Sequence, residues 1–159
     1  MTRKEQYNQL ILQIAGLIKD ETNLVGILAN VSAALHDAFP ERFFWVGFYL
    51  QENGNMLRLG PFQGSVACYV IPFGKGVCGK AWKEGCTLIV PDVEKFPGHI
   101  ACSSLSRSEI VVPMYDDSHT FRGVLDIDST QLNDFNEDDK EGLERIIELL
   151  MAETQDLFQ

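Results

Sequence analysis

Four cysteines, Cys68, Cys78, Cys86 and Cys102, stand in the middle of this chain, and a thiol that ionises is a strong nucleophile and redox group. Cys78 lies in GKGVCGKAW, where flanking glycines permit a tight turn and a short helix is expected to begin; the helix amino end and Lys75 or Lys80 would favour its thiolate. Cys102 lies in FPGHIACSSLSRSE, whose proline, glycine and serines read as a long loop between strands, a common seat of functional groups. Cys68 opens a predicted strand. Cys86, between Gly85 and the strand TLIV, has no such setting and is expected to be a small buried hydrophobe. Cys68, Cys78, Cys102 and His99 are soft enough to ligate a metal, but they lack the tight C-x-x-C pairs of structural zinc sites, so His99 is expected to be a hydrogen-bonding loop residue and no metal is expected.

The carboxylates narrow the chemistry. In GVLDIDS a strand places Asp126 and Asp128 on one face and Leu125 and Ile127 on the other. A solvent-wet strand would show the same alternation. Glu109 opens the strand EIVVP shortly after Cys102 and can join the two aspartates beside the thiol, forming an acidic pocket suited to a cationic group. Crowded carboxylates repel, so at least one should keep its proton near neutral pH and be able to donate it. A thiol with a nearby acid is what a reductase needs.

These residues require a scaffold, and the periodicity of the chain supplies one. Tyr7, Leu10, Ile11, Ile14, Leu17 and Ile18 recur at helical steps, and so do Leu24, Ile27, Leu28, Val31 and Leu35, with Thr22 or Asn23 as cap and Pro40 as stop. FFWVGFYLQ and MLRLGPFQ form a hairpin across ENGN; ACYVIPF and TLIVPD are short strands; EIVVPMYD and FRGVLDIDS pair across Asp117 and Ser118. A last helix starts in the acidic run from Asn133 to Asp139 and shows an apolar face through Leu143, Ile146, Ile147, Leu150 and Met151. The expectation is an α+β domain with a central antiparallel sheet of about five or six strands flanked by N- and C-terminal helices, all within one domain spanning 1–159.

Composition limits the partners. Thirteen Lys+Arg against 23 Asp+Glu give a formal net charge of −10, which disfavours nucleic acid and anionic membranes. The amino-terminal MTRKEQYNQLILQIAGLIKD intersperses charge among its apolar residues, so a secretion signal is not expected, and no segment is apolar for long enough to span a membrane. A cytoplasmic location follows as the expectation, with reduced thiols rather than permanent structural disulfides.

The runs GPFQGSVAC, FGKGVCG, IVPDVEKFPGHIAC, SEIVVP and GVLDIDS, together with FFWVGFYL, resemble the free methionine-R-sulfoxide reductases, a branch of the GAF-domain superfamily. The resemblance implies a GAF-like domain that reduces free methionine-R-sulfoxide, with Cys102 as the attacking thiol and Cys68 and Cys78 as candidates to resolve the oxidised intermediate. It implies that Glu109, Asp126 and Asp128 bind substrate and that Trp45 lines the pocket, although Trp45 also suits the core of the first strand. It matches no role to Cys86. It further implies a homodimer, thioredoxin as the external dithiol reductant, and no cofactor. A GAF-type small-ligand sensor or a thiol redox sensor without turnover is the rival, because fold does not determine function; the first leaves the three cysteines unexplained and the second leaves the clustered carboxylates unexplained.

Overall fold

The computed structural model of the protein describes residues 1–158. Its centre is a six-stranded sheet, β1 Trp45–Glu52, β2 Met56–Gln63, β3 Val70–Pro72, β4 Leu88–Val90, β5 Ser108–Tyr115 and β6 Phe121–Ser129, in the order β3-β2-β1-β6-β5-β4. Every neighbouring pair is antiparallel. Four helices accompany it: α1 Arg3–Ile18, α2 Leu24–Ala38, α3 Gly76–Glu84 and α4 Glu137–Thr154.

The two faces of the sheet carry different cores. Leu10 and Ile14 of α1, Leu28 and Leu35 of α2, and Leu143, Ile146 and Leu150 of α4 pack with Val46, Phe48, Ile110, Leu125 and Ile127 of the strands in one large apolar cluster. The opposite face holds a smaller cluster of Trp45, Tyr49, Leu57, Val77, Ala81, Val111 and Val124 under α3. Period-two alternation decides the side: Val46 and Phe48 face the helical layer, Trp45 and Tyr49 the other.

The ends of the elements show why the chain turns where it does. Thr2 and Glu5 form a reciprocal capping box at α1, and Asn136 and Asp139 do the same at α4. Asn23 occupies the N-cap position of α2 without a side-chain cap bond; Glu21 instead accepts from the Thr22 and Asn23 backbone. The hairpin at 52–55 turns with Gly54 at φ 83°. The β5–β6 connection is longer than the expected two residues, because Asp116 leaves the ladder and its Oδ1 accepts from the backbone N–H groups of Ser118 and Thr120, each at 2.9 Å. Cys68 does not open a strand: it lies in the irregular segment before β3, which pairs with β2 only over Val70–Pro72. No described helix is long and apolar enough to cross a membrane.

Candidate active site

The strand registers assemble the site. Trp45 of β1 lies opposite Asp128 of β6, which lies opposite Glu109 of β5, which lies opposite Val90 of β4. One step along, Asp126 lies between Gly47 and Val111. The carboxylates of Glu109, Asp126 and Asp128 therefore emerge on the side of the sheet away from the large core, where α3 covers them only partly. They form the floor of a cavity of about 550 Å³, open mouth included.

One wall is aromatic. Trp45 stacks on Phe62 with centroids 5.0 Å apart and lies 5.9 Å from Tyr49. Gly47 permits that packing, since a Cβ there would meet Phe62 Cβ at 2.2 Å. The indole is pinned at its edge, where Nε1 donates to Ser65 O at 3.0 Å. Trp45 thus lines the cavity and also belongs to the smaller core.

The mouth is formed by two irregular segments that carry Cys68 and Cys102. The first is tied down where Tyr49 Oη donates to Cys68 O at 3.0 Å. The second leaves β4 through Asp92, whose side chain accepts from Glu94 N in a 3-10 turn at Val93–Lys95, and rejoins the sheet as Arg107 N donates to Ser129 O at 2.8 Å. Gly76, at φ 61°, leaves room for Ile100, which would meet a Cβ at 3.1 Å; the start of α3 and the Cys102 segment close together on that glycine. So held, Cys68 and Cys102 form a disulfide across 34 positions with their Cα atoms 5.6 Å apart. Neither sulfur is available as a thiolate ligand in this state, which removes the metal set built on both.

Cys78 departs from expectation. Its side chain points into the cavity from α3, but it is buried, and its thiol is pushed well above the ordinary range by burial and by the charges of Asp126, Glu109 and Asp128. A helix amino end cannot offset a desolvated site facing carboxylates, so Cys78 is a neutral thiol and not an activated nucleophile. Cys86 departs in the other direction. It is exposed after α3, on a surface with Tyr115 and Glu144 that is separate from the cavity.

The carboxylates behave as a coupled set. Burial first, then the charges of Asp126 and Asp128, raise Glu109 well above the usual carboxylate range. Asp128 is likewise pushed well up by burial and by Asp126. Burial also raises Asp126, with Glu109, Cys78 and His99 pulling the other way. The anion rests most readily on Asp126, whose Oδ1 is buried and has no hydrogen-bond partner. A buried unpaired acceptor of that kind calls for a cationic donor. Cys78, Glu109 and Asp126 have their donor atoms within 4.8 Å of one another, a spacing that an ammonium group can also bridge.

The structure adds residues to the site that the sequence pattern did not single out. His99, expected only to hydrogen-bond in its loop, puts Nε2 3.7 Å from Glu109 Oε1. Tyr49, Ser65, Ser103 and Ser106 also line the cavity. Tyr49 was legible as the residue four past Trp45 on the same strand face; the serines and His99 lie on irregular segments whose path no periodicity encodes.

Known proteins resemble this chain along nearly its whole length. No family model matches it. The GAF domain-containing protein A of Dictyostelium discoideum is 56% identical, over 94% of this chain and 92% of its own. The free methionine-R-sulfoxide reductase of Saccharomyces cerevisiae is 43% identical, over 94% of this chain and 86% of its own. The crystal structure of the free methionine-R-sulfoxide reductase of Neisseria meningitidis in complex with its substrate superposes with a TM-score of 0.93 and 47% identity, covering 98% of this chain and 92% of that one. With this fold, this acidic cavity and this likeness over almost its full length, the chain belongs to the free methionine-R-sulfoxide reductases and carries their GAF fold.

Proposed function

We propose that this protein is an oxidoreductase that reduces free methionine-R-sulfoxide to methionine with its own thiols. The observation that carries the reading is a cysteine pair at the mouth of a cavity whose floor is three carboxylates. In the reduced protein the Cys102 thiolate attacks the substrate sulfur while Glu109, a buried acid whose pKa is raised well above the usual carboxylate range, gives its proton to the sulfoxide oxygen. The hydroxyl then passes from the substrate sulfur to Cys102, the S–O bond and the transient bond between the two sulfurs break, methionine leaves, and Cys102 is left as sulfenic acid. Cys68 then attacks the Cys102 sulfur and expels the oxygen as water, forming the disulfide. The pairing favours Cys68 over the buried, neutral Cys78 as the resolving thiol.

The pocket accounts for a free amino acid as substrate. An ammonium placed at Asp126 Oδ1 satisfies the orphaned acceptor, whereas a peptide nitrogen brings no charge to offset the buried anions. Regeneration needs an external dithiol, and thioredoxin fits that role because Cys102 is exposed and open to exchange. No organic cofactor or metal enters these steps. A homodimer, as the family resemblance suggests, would give cover to the exposed Leu12 and Leu17 of α1 and Val25 of α2.

The test supplies the R and S forms of free methionine sulfoxide, and the N-acetylated R form, with dithiothreitol. Methionine release from the free R form, with kcat/KM at least about tenfold lower for the N-acetylated one, is the expected outcome. No release from either free form would refute the activity; equal values for free and acetylated R forms would refute the ammonium pocket.

A further inference from the structure

The proposed reaction draws a proton from inside the cavity, and a titratable side chain lies between its donor and solvent. Glu109 is 5% exposed and has little direct contact with water. His99 Nε2 lies 3.7 Å from Glu109 Oε1, and the His99 side chain is 16% exposed against 7% for Glu109. The imidazole therefore meets solvent on one side and the carboxyl group on the other. A separation of 3.7 Å is beyond a direct hydrogen bond but within reach of a slight loop movement or one bridging water.

Resting on the reading above, we propose that His99 is the relay that returns a proton from solvent to Glu109 after each turnover. It acts through Glu109, not on the substrate, and so is a positioning residue for the proton. The balance requires such a return. Cys102 enters as thiolate, its proton already lost to solvent; Glu109 gives one proton to the sulfoxide oxygen; the water released on disulfide formation carries that proton and the Cys68 thiol proton away. One proton per cycle must therefore come back to Glu109 from solvent.

The surroundings suit the task. Glu109 on β5, Asp126 and Asp128 on β6 and Cys78 on α3 face the same cavity as His99. A cation moving inward on the imidazole is drawn by that acidic cluster. Burial lowers the pKa of His99, only partly opposed by Asp126, while that of Glu109 is raised. The two affinities for the proton approach each other, as transfer in either direction requires. Asp128 is also partly exposed, but as an acid beside Glu109 it competes for the same proton instead of carrying positive charge toward it.

The test compares wild type, His99→Gln and His99→Asn on free methionine-R-sulfoxide with saturating dithiothreitol, in dilute buffer and with added imidazole. In both variants kcat should fall at least about tenfold with KM unchanged, and should recover in proportion to imidazole, to which wild type is indifferent. Wild-type rates in the variants, a loss that imidazole does not relieve, or a raised KM would overturn the relay. Because wild type is assayed alongside, a failure of the activity itself would appear separately, as no methionine from any of the three proteins.

Discussion

At the scale of single residues, burial decides which groups are reactive. Cys102 is exposed at the mouth and Cys78 is sealed beneath it, so the thiols divide into one that can meet an oxidant and an external dithiol and one that cannot. Cys102→Ser should lower single-turnover methionine release by roughly three orders of magnitude or more. Cys86→Ser, altering an exposed side chain away from the cavity, should leave release unchanged. Stoichiometric methionine from the Cys102 variant would reassign the nucleophile. The carboxylates carry an opposite signature in binding and in stability. Asp126→Asn removes a charge-assisted partner worth about 1.5–3 kcal/mol, so kcat/KM for the free R form should fall by about 10- to 150-fold. Glu109 has a raised pKa when folded and so holds its proton more tightly than in the unfolded chain. Its stabilising contribution is present at low pH and is lost as pH rises through the ordinary carboxylate range toward the raised value. Glu109→Gln escapes that loss, so its melting temperature relative to wild type should be higher at pH 8 than at pH 5; a difference independent of pH would contradict a buried titrating acid.

At the scale of elements, the buried charges on the far side of the sheet show how the scaffold is held. Asp139 in the first turn of α4 accepts from Tyr7 Oη at 2.7 Å and from Arg3 at 2.8 Å, both on α1, and from Arg42 at 3.1 Å. Arg42 also reaches Asp134 at 3.0 Å, and its guanidinium lies over the rings of Phe39 and Phe43 at 5.1 and 5.4 Å. One carboxylate thus joins the first helix, the entry to β1 and the last helix. Asp139→Ala should cost about 1.5–3 kcal/mol, because it leaves the buried Tyr7 hydroxyl without its acceptor and takes from Arg42 one of its two carboxylate partners. Urea unfolding would measure it, and a loss under about 1 kcal/mol would show the network to be dispensable. The capping box made this carboxylate visible in sequence as a helix-start acid, but its partners on α1 and before β1 are more than ninety positions away.

At the scale of the whole molecule, the Cys68–Cys102 bond ties the segment before β3 to the loop between β4 and β5, across the cavity. Closing a loop of 34 positions removes conformational freedom from the unfolded chain worth about 3–4 kcal/mol. The oxidised protein should therefore melt several degrees above the reduced one, and Cys68→Ser should erase the difference. Identical melting of the oxidised and reduced wild type would mean that the bond does not restrain the fold.

The elements of the fold, and the acidic half of the site, were encoded locally. Period-two alternation in GVLDIDS alone puts Asp126 and Asp128 on one face, and helical spacing alone marks α1, α2 and α4, because these patterns depend on neighbours a few residues apart. The cysteine roles were not encoded in that way. A glycine-rich helix start beside lysines suggested an activated Cys78, yet the fold brings three carboxylates from two distant strands against it. The pairing of Cys68 with Cys102, and the meeting of His99 with Glu109, depend on the course of irregular segments held by contacts such as Tyr49 to Cys68 and Gly76 against Ile100. Burial and long-range electrostatics are properties of the packed chain, so only the tertiary structure could decide which thiol is reactive and which acid keeps its proton.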